Sequence, residues 1–186
     1  MEQEPQRLVY LERNEDILRR AAEHVARPSE ELAQQPPGGG WGIGMVFEHL
    51  CTTHELYLGK IAKLLADTPE APQPEVLKWK PSLGGGLLVR SLEAPMKLRA
   101  PGAFAPGPQP RERVVQAFIE QHEQIELFLA ASQRMPWQRM RLASPVTRLL
   151  RMNLGDAFGV LVVHAERHLR QADGVAAQME ARSATS

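Results

Sequence analysis

The sequence predicts an all-α protein built on four long helices. Three observations carry this. Apolar residues recur at three- and four-residue spacing in four separate stretches. No stretch alternates apolar and polar residues with a convincing period of two. Segments rich in proline and glycine fall between the helical stretches. A chain of 186 residues, 43% of them hydrophobic, can build one core, so one domain over residues 1–186 is expected.

The first helix is expected over residues 6–26, on an apolar stripe of Leu8, Leu11, Ile17 or Leu18, Ala21 and Val25. Pro28-Ser29-Glu30-Glu31-Leu32 reads as a cap followed by a short turn of helix. Pro36-Pro37-Gly38-Gly39-Gly40 is a breaker. Trp41 anchors the start of the second helix, expected over 41–66, and is also placed to wall a pocket. Its stripe is Ile43, Phe47, Leu50, Leu58, Ile61 and Leu65, and His54 falls on it. His49 falls to one side, with Met45, Val46, Thr53 and Leu56. Two glycines near the start weaken only the first turn.

Residues 67–110 hold nine of the 15 prolines and five of the 14 glycines. A link this long is uncommon unless it serves a function or carries elements of its own. Trp79, Leu87, Leu88, Val89, Leu92 and Phe104 predict short helical turns and extended pieces that cross over the helices. The third helix is expected over 111–132, with Val114, Phe118, Ile125, Phe128 and Leu129 on its stripe beside His122. Pro136 closes that stretch. The basic segment 139–151 contains Pro145 and reads as loop with a turn of helix. Asn153 is a good N-cap, with Asp156 three residues on to favour the positive end of the helix dipole. The last helix is expected over 154–180, with Ala157, Leu161, Val175 and Met179 on its stripe, before a polar tail. The long link permits a crossover between the second and third helices, so simple up-down order is not forced.

Composition excludes several function classes. With 22 basic and 22 acidic residues the formal charge is zero, a balance that argues against a surface built to neutralise phosphates, so no nucleic acid is expected as a partner. No apolar run approaches the ~20 residues that span a bilayer, so no membrane is expected either. The single cysteine, Cys51, allows no intramolecular disulfide and suits a reducing compartment. Met1 to Pro5 is acidic and lacks the regions of a signal peptide, so a cytoplasmic location is expected. Cys51 itself is expected to be a small buried residue. The glycine runs match neither a dinucleotide fingerprint nor a phosphate-binding loop.

The chemistry lies in the histidines. His164 and His168 stand four apart on the stripe of the last helix, so both imidazoles can aim at one spot. A metal ion explains two polar rings aimed into a core; core histidines bonded to backbone carbonyls are the alternative. The pair lacks the glutamate directly after the first histidine that a metalloprotease helix would carry. An open catalytic site needs a third protein ligand. The candidates are His49, His54, His122 and the carboxylate of Glu48, and periodicity favours His54 as the more inward. His122 reads as a core histidine or one that supports a ligand. His24, near the end of the first helix, is expected to be exposed and to favour the negative end of its dipole. Arg167 reads as a packing or ion-pair residue, and Gln171, one turn past His168, as a partner for a group at the site.

Three motifs carry a family resemblance. Trp41-Gly42-Ile43-Gly44-Met45-Val46-Phe47-Glu48-His49-Leu50 resembles the opening of the second helix in the DinB/YfiT-like superfamily. His164-x-x-Arg167-His168-x-x-Gln171 resembles that superfamily's last-helix motif, and Met96-Lys97 through Phe104 and Pro106 resembles its connector. The resemblance runs from Leu8 to Gln171. It implies a four-helix bundle with a long crossover between helices 2 and 3, and a divalent metal, zinc or nickel. The implied ligands are His49, His164 and His168, against the periodicity that favours His54. His54, at a position where the family often has glutamate, would line the same cavity, as would the crossover.

Three neutral imidazoles leave a divalent ion its full charge and one open position. A water there can reach a pKa near ~7, and a thiol can bind as thiolate. Proteins similar to this one include S-transferases that use low-molecular-weight thiols and others described as metal-dependent hydrolases. The resemblance therefore implies a small-molecule substrate, and a homodimer. A non-catalytic, metal-stabilised bundle that binds a small molecule or a protein is the alternative.

Overall fold

The computed structural model describes residues 1–36, 38–69, 77–94, 104–107, 109–145 and 149–184. Most of the connector resemblance, from Met96 to Ala103, lies outside the described residues, as does Pro37 of the breaker. The elements run α1 (Gln3–Ala22), α2 (Ser29–Ala33), α3 (Ile43–Asp67), α4 (Leu83–Glu93), α5 (Val114–Ala131), β1 (Arg141–Ala143), β2 (Arg151–Asn153) and α6 (Leu154–Ser183). The fold is all-α, with one small hairpin as its only sheet among the described residues. No described helix is long and apolar enough to cross a membrane.

Four helices close a ring. α1 and α3 each pack against both α5 and α6, which places α1 diagonal to α3. α3 therefore has to bury two faces, and Ile43, Val46, Phe47, Leu50, Cys51, His54 and Ile61 are all fully enclosed. The link from α3 to α5 carries α4, which lies on α6 and on β2. It thus serves as the expected crossover, with one helix of about three turns inside it.

The stripe expected on α1 is corrected. Its buried face is Gln3, Arg7, Tyr10, Asn14, Ile17 and Ala21, while Leu8 and Val25 are exposed. Polar residues on that face conceal its period, and each has a partner. Gln3 Nε2 donates to the Met135 carbonyl at 3.0 Å and Gln3 Oε1 accepts from the Trp137 amide at 3.1 Å. Arg7 donates to Glu4 at 2.6 Å. A buried polar group that is hydrogen-bonded costs little, so a helix can turn such a face inward.

The loop expected over 139–151 is also corrected. Arg141 to Ala143 pairs antiparallel with Arg151 to Asn153, Leu142 opposite Met152, and both of these side chains are buried. Two strands of three residues are too short to announce themselves as alternation in sequence. The hairpin delivers Asn153 to the start of α6, where a capping box forms. Asn153 Oδ1 accepts from the Asp156 amide at 3.0 Å and Asp156 Oδ2 from the Asn153 amide at 3.1 Å.

That cap also ties down the crossover. Trp79 Nε1 donates to Asn153 Oδ1 at 2.7 Å, and Asn153 Nδ2 donates to the Lys80 carbonyl at 2.9 Å. Ser82, the N-cap of α4, donates its hydroxyl to Asp156 at 2.6 Å and accepts from the Gly85 amide. The starts of α4 and α6 thus share one carboxylate. Gly85 permits the approach: a Cβ there would sit 2.4 Å from the Asp156 carboxyl carbon. In the same way Gly42 and Gly44 let the start of α3 press on the backbone of Gln34 and Leu32, so those two glycines are packing residues.

Gly85→Ala is expected to lower the unfolding free energy by about 1–3 kcal/mol, because Asp156 is pinned and cannot yield. Gly59, exposed in mid-α3 with open space at its Cβ position, gives the opposite sign: Gly59→Ala is expected to stabilise by about 0.5–1 kcal/mol. Urea midpoints of the two variants check both.

Candidate metal centre

α6 turns His164 and His168 to one face, with ring centroids 4.6 Å apart. α3 packs on that face and supplies His49, whose ring is 5.0 Å from His164 and 4.7 Å from His168. One ligand nitrogen from each of the three lies within 4.8 Å of the others. His49 and His164 are buried and His168 is half-buried. The Trp41 indole, half-buried just ahead of α3, lies 4.9 Å from the His49 ring and stacks on His168 at 6.0 Å. The cluster therefore meets solvent on the Trp41–His168 side, with an aromatic wall beside it.

Hydrogen bonds orient the rings. His49 Nδ1 is 2.7 Å from the Phe104 carbonyl, in the crossover. A carbonyl only accepts, so Nδ1 carries the proton and His49 Nε2 keeps a lone pair. His168 Nδ1 is 3.0 Å from Gln171 Oε1, which leaves its Nε2 facing away from that bond. His49 Nε2 and His164 Nε2 are 3.1 Å apart. Two lone pairs at that distance repel, so His164 either donates a proton there or shares a cation with His49. A tetrahedral ion at ordinary nitrogen distances sets its ligands about 3.3 Å apart, which fits the spacing of this pair. A histidine held through its second nitrogen by a carbonyl or amide oxygen is the usual support for a metal ligand. The residues present thus fit a divalent ion.

Burial lowers the pKa of all three imidazoles. The neighbouring histidines add to this at His164, and the His168 value falls to about 4. At neutral pH the cluster presents lone pairs, not positive charge.

The other candidates separate cleanly. His54 is more buried than His49, as its place on the stripe predicts, but its ring lies 5.1 Å from His122, 5.8 Å from Phe118 and 6.1 Å from His164, outside the cluster. The periodicity that favours it measures depth, and the deepest direction of α3 points at α5. His122 bonds through Nδ1 to Asn14 Oδ1 at 2.7 Å, and burial drives its pKa to about 3. Glu48 is taken up by Arg111, whose Nη2 donates to it at 2.7 Å. Burial works against the Glu48 carboxylate, yet the Arg111 hydrogen bonds hold its pKa below the ordinary value. Cys51 is buried, and that burial pushes its thiol up to about 12. His24 is not exposed: it packs on Phe47, and its Nε2 lies 2.9 Å from Asp173 Oδ1 on α6. Arg167 donates to the Leu92 and Ala94 carbonyls, both at 2.9 Å, and so fastens the end of α4 to α6.

Two contributors have roles that the sequence does not show, although Phe104 lies in the connector resemblance. The Phe104 contribution is a backbone carbonyl, which any residue supplies. Asn14 sits on the α1 face whose period is hidden by its own polarity.

A family model described as the DinB superfamily matches residues 10–172. No curated protein and no solved structure matches the chain.

Protons compete with a metal for imidazole lone pairs, so affinity falls as pH drops through the imidazole pKa. Three imidazoles titrating near 6.5 would lose about 1000-fold in affinity between pH 7.5 and 5.5. With the pKa values lowered here, the loss over that range is expected to stay below about tenfold. Competition titration with a chromophoric chelator at the two pH values measures it.

Proposed function

The chain belongs to the DinB superfamily, and on that premise we propose that His49, His164 and His168 hold a divalent ion, zinc or nickel, in a site that transfers a low-molecular-weight thiol onto a small electrophile. The convergence of three neutral imidazoles, two of them held from behind by Phe104 and Gln171, carries this reading. When bound, the ion would supply Lewis acidity, lowering the pKa of a thiol or water at its open position.

The protein's own side chains do the rest. The Phe104 carbonyl keeps the proton of His49 on Nδ1, and Gln171 does the same for His168, so neither ring has to reorient to act as a ligand. Trp41 covers the outer edges of His49 and His168 and offers an apolar face against which an electrophile can lie. Glu48, directly before His49, cannot serve as a general base while Arg111 holds it. Thiol transfer suits such a site, since a thiol activated by the ion needs no protein base. Hydrolysis by activated water is the second reading for the same reason: it uses the same lone pairs and the same open position.

The native protein is expected to carry about one zinc or nickel ion per chain, and His164→Ala to lose it. Elemental analysis of both proteins decides this. A panel of small thiols, each with an alkylating electrophile, then tests the reaction. Product formation that requires both metal and thiol supports transfer. Turnover of esters or amides without thiol moves the assignment to hydrolysis. A fully loaded protein inert to both panels leaves a binding role.

A further inference from the structure

Behind the cluster lies a second group of buried polar atoms that the proposed reaction does not use. His54 Nδ1 and Nε2, His122 Nε2 and His164 Nδ1 are all buried and make no hydrogen bond among the described residues. The His54 ring is the one near both of the others, 5.1 Å from His122 and 6.1 Å from His164. Orphaned nitrogens in a protein interior are costly, and several around one ring form a polar pocket suited to ordered water.

One end of this group has a fixed direction. Asn14 Nδ2 donates to the His122 backbone carbonyl at 3.1 Å, which only accepts. The Asn14 amide is therefore oriented, and its Oδ1, 2.7 Å from His122 Nδ1, must accept. His122 is then protonated on Nδ1, and its Nε2 is a lone pair that seeks a donor. Neutral His54 has one N–H to offer. Giving it toward His122 leaves the other His54 nitrogen as an acceptor, and among the described residues His164 Nδ1 is an unpaired nitrogen nearby. At its far side His164 faces the opposite demand: the 3.1 Å contact with His49 Nε2 draws its proton to Nε2, where no metal can bind.

We propose that Asn14, His122 and His54 form a one-way hydrogen-bond chain, completed by ordered water, that accepts a hydrogen bond from His164 Nδ1–H, holds the His164 proton on Nδ1 and so leaves its Nε2 lone pair to the three-histidine cluster. The inference rests on that cluster being the metal site. His54 is a positioning residue in this arrangement: it touches neither ion nor substrate, and it sets the tautomer of a ligand. A ligand's supporting hydrogen bond is commonly worth about 10–100-fold in metal affinity.

Long-range 1H–15N correlation spectra of the metal-free protein at pH 7.5 read the tautomers directly. The expected wild-type pattern is His122 protonated on Nδ1, His54 in a single tautomer, and His164 with a populated Nδ1–H form. In His54→Phe, which keeps a ring in place, the His164 ratio is expected to shift at least about tenfold toward Nε2–H, and Zn2+ affinity to fall about 10–100-fold. His122 protonated on Nε2, or His54 exchanging between tautomers, overturns the chain in the wild-type spectrum alone, whether or not the variant folds. An unchanged His164 ratio in folded His54→Phe overturns it as well. If the protein takes up no Zn2+ but the variant still shifts the His164 tautomer, the chain stands and the metal reading falls.

Discussion

The packing of α3 against α6 is the constraint on which the candidate metal centre depends. His164 and His168 are neighbours by helix geometry alone, but two imidazoles on one helix make no open site. The third comes from α3, and it arrives because α3 must serve two neighbours at once. Its buried surface is wide enough for one flank to meet α6 and the other α5. His49 and His54, five residues apart, are carried into different surroundings by that division. One joins the cluster; the other stands behind it beside His122.

The same packing explains why histidine, and not a charged group, fills this space. An imidazole that stays neutral loses far less on burial than a carboxylate or an ammonium. The carboxylates of this region are held by cations: Glu48 by Arg111, and Glu166 by Arg13 through two bonds of 2.7 Å. The interior thus collects neutral donors and acceptors whose directions are set from outside, by the Phe104 carbonyl, the Gln171 amide and the Asn14 amide. The crossover takes part at both ends. Phe104 orients His49, while Trp79 and Ser82 lock α4 to the cap of α6 and hence to the helix that bears two of the three histidines.

How far the site could be read in the sequence follows from these contacts. The α6 motif was readable because spacing of four on a helix is a local geometric fact, and Gln171 followed from it one turn on. The choice between His49 and His54 was not readable from periodicity, which ranks residues by depth and so prefers His54. Only the family motif pointed to His49. The buried face of α1 was misplaced because Gln3, Arg7 and Asn14 are polar yet satisfied by partners more than a hundred residues away, or by Glu4 in the case of Arg7. His24 was misplaced for a related reason: its partner, Asp173, lies on α6, and no local pattern reveals it.

By itself the sequence determined the helices, the long link, the zero net charge and the histidine pair, since each rests on local periodicity, turn chemistry or composition. The boundaries of the four long helices follow the same rules, shifted by a few residues where a cap or a contact intervenes. The tertiary structure alone decided which flank of α3 faces α6, which carbonyl orients His49, and that a hairpin delivers the cap of α6. It also decided that His54 stands behind the cluster, its ring 6.1 Å from that of His164. Those outcomes depend on atoms far apart in the chain, and distance along a sequence says nothing about which of them a folded core brings together.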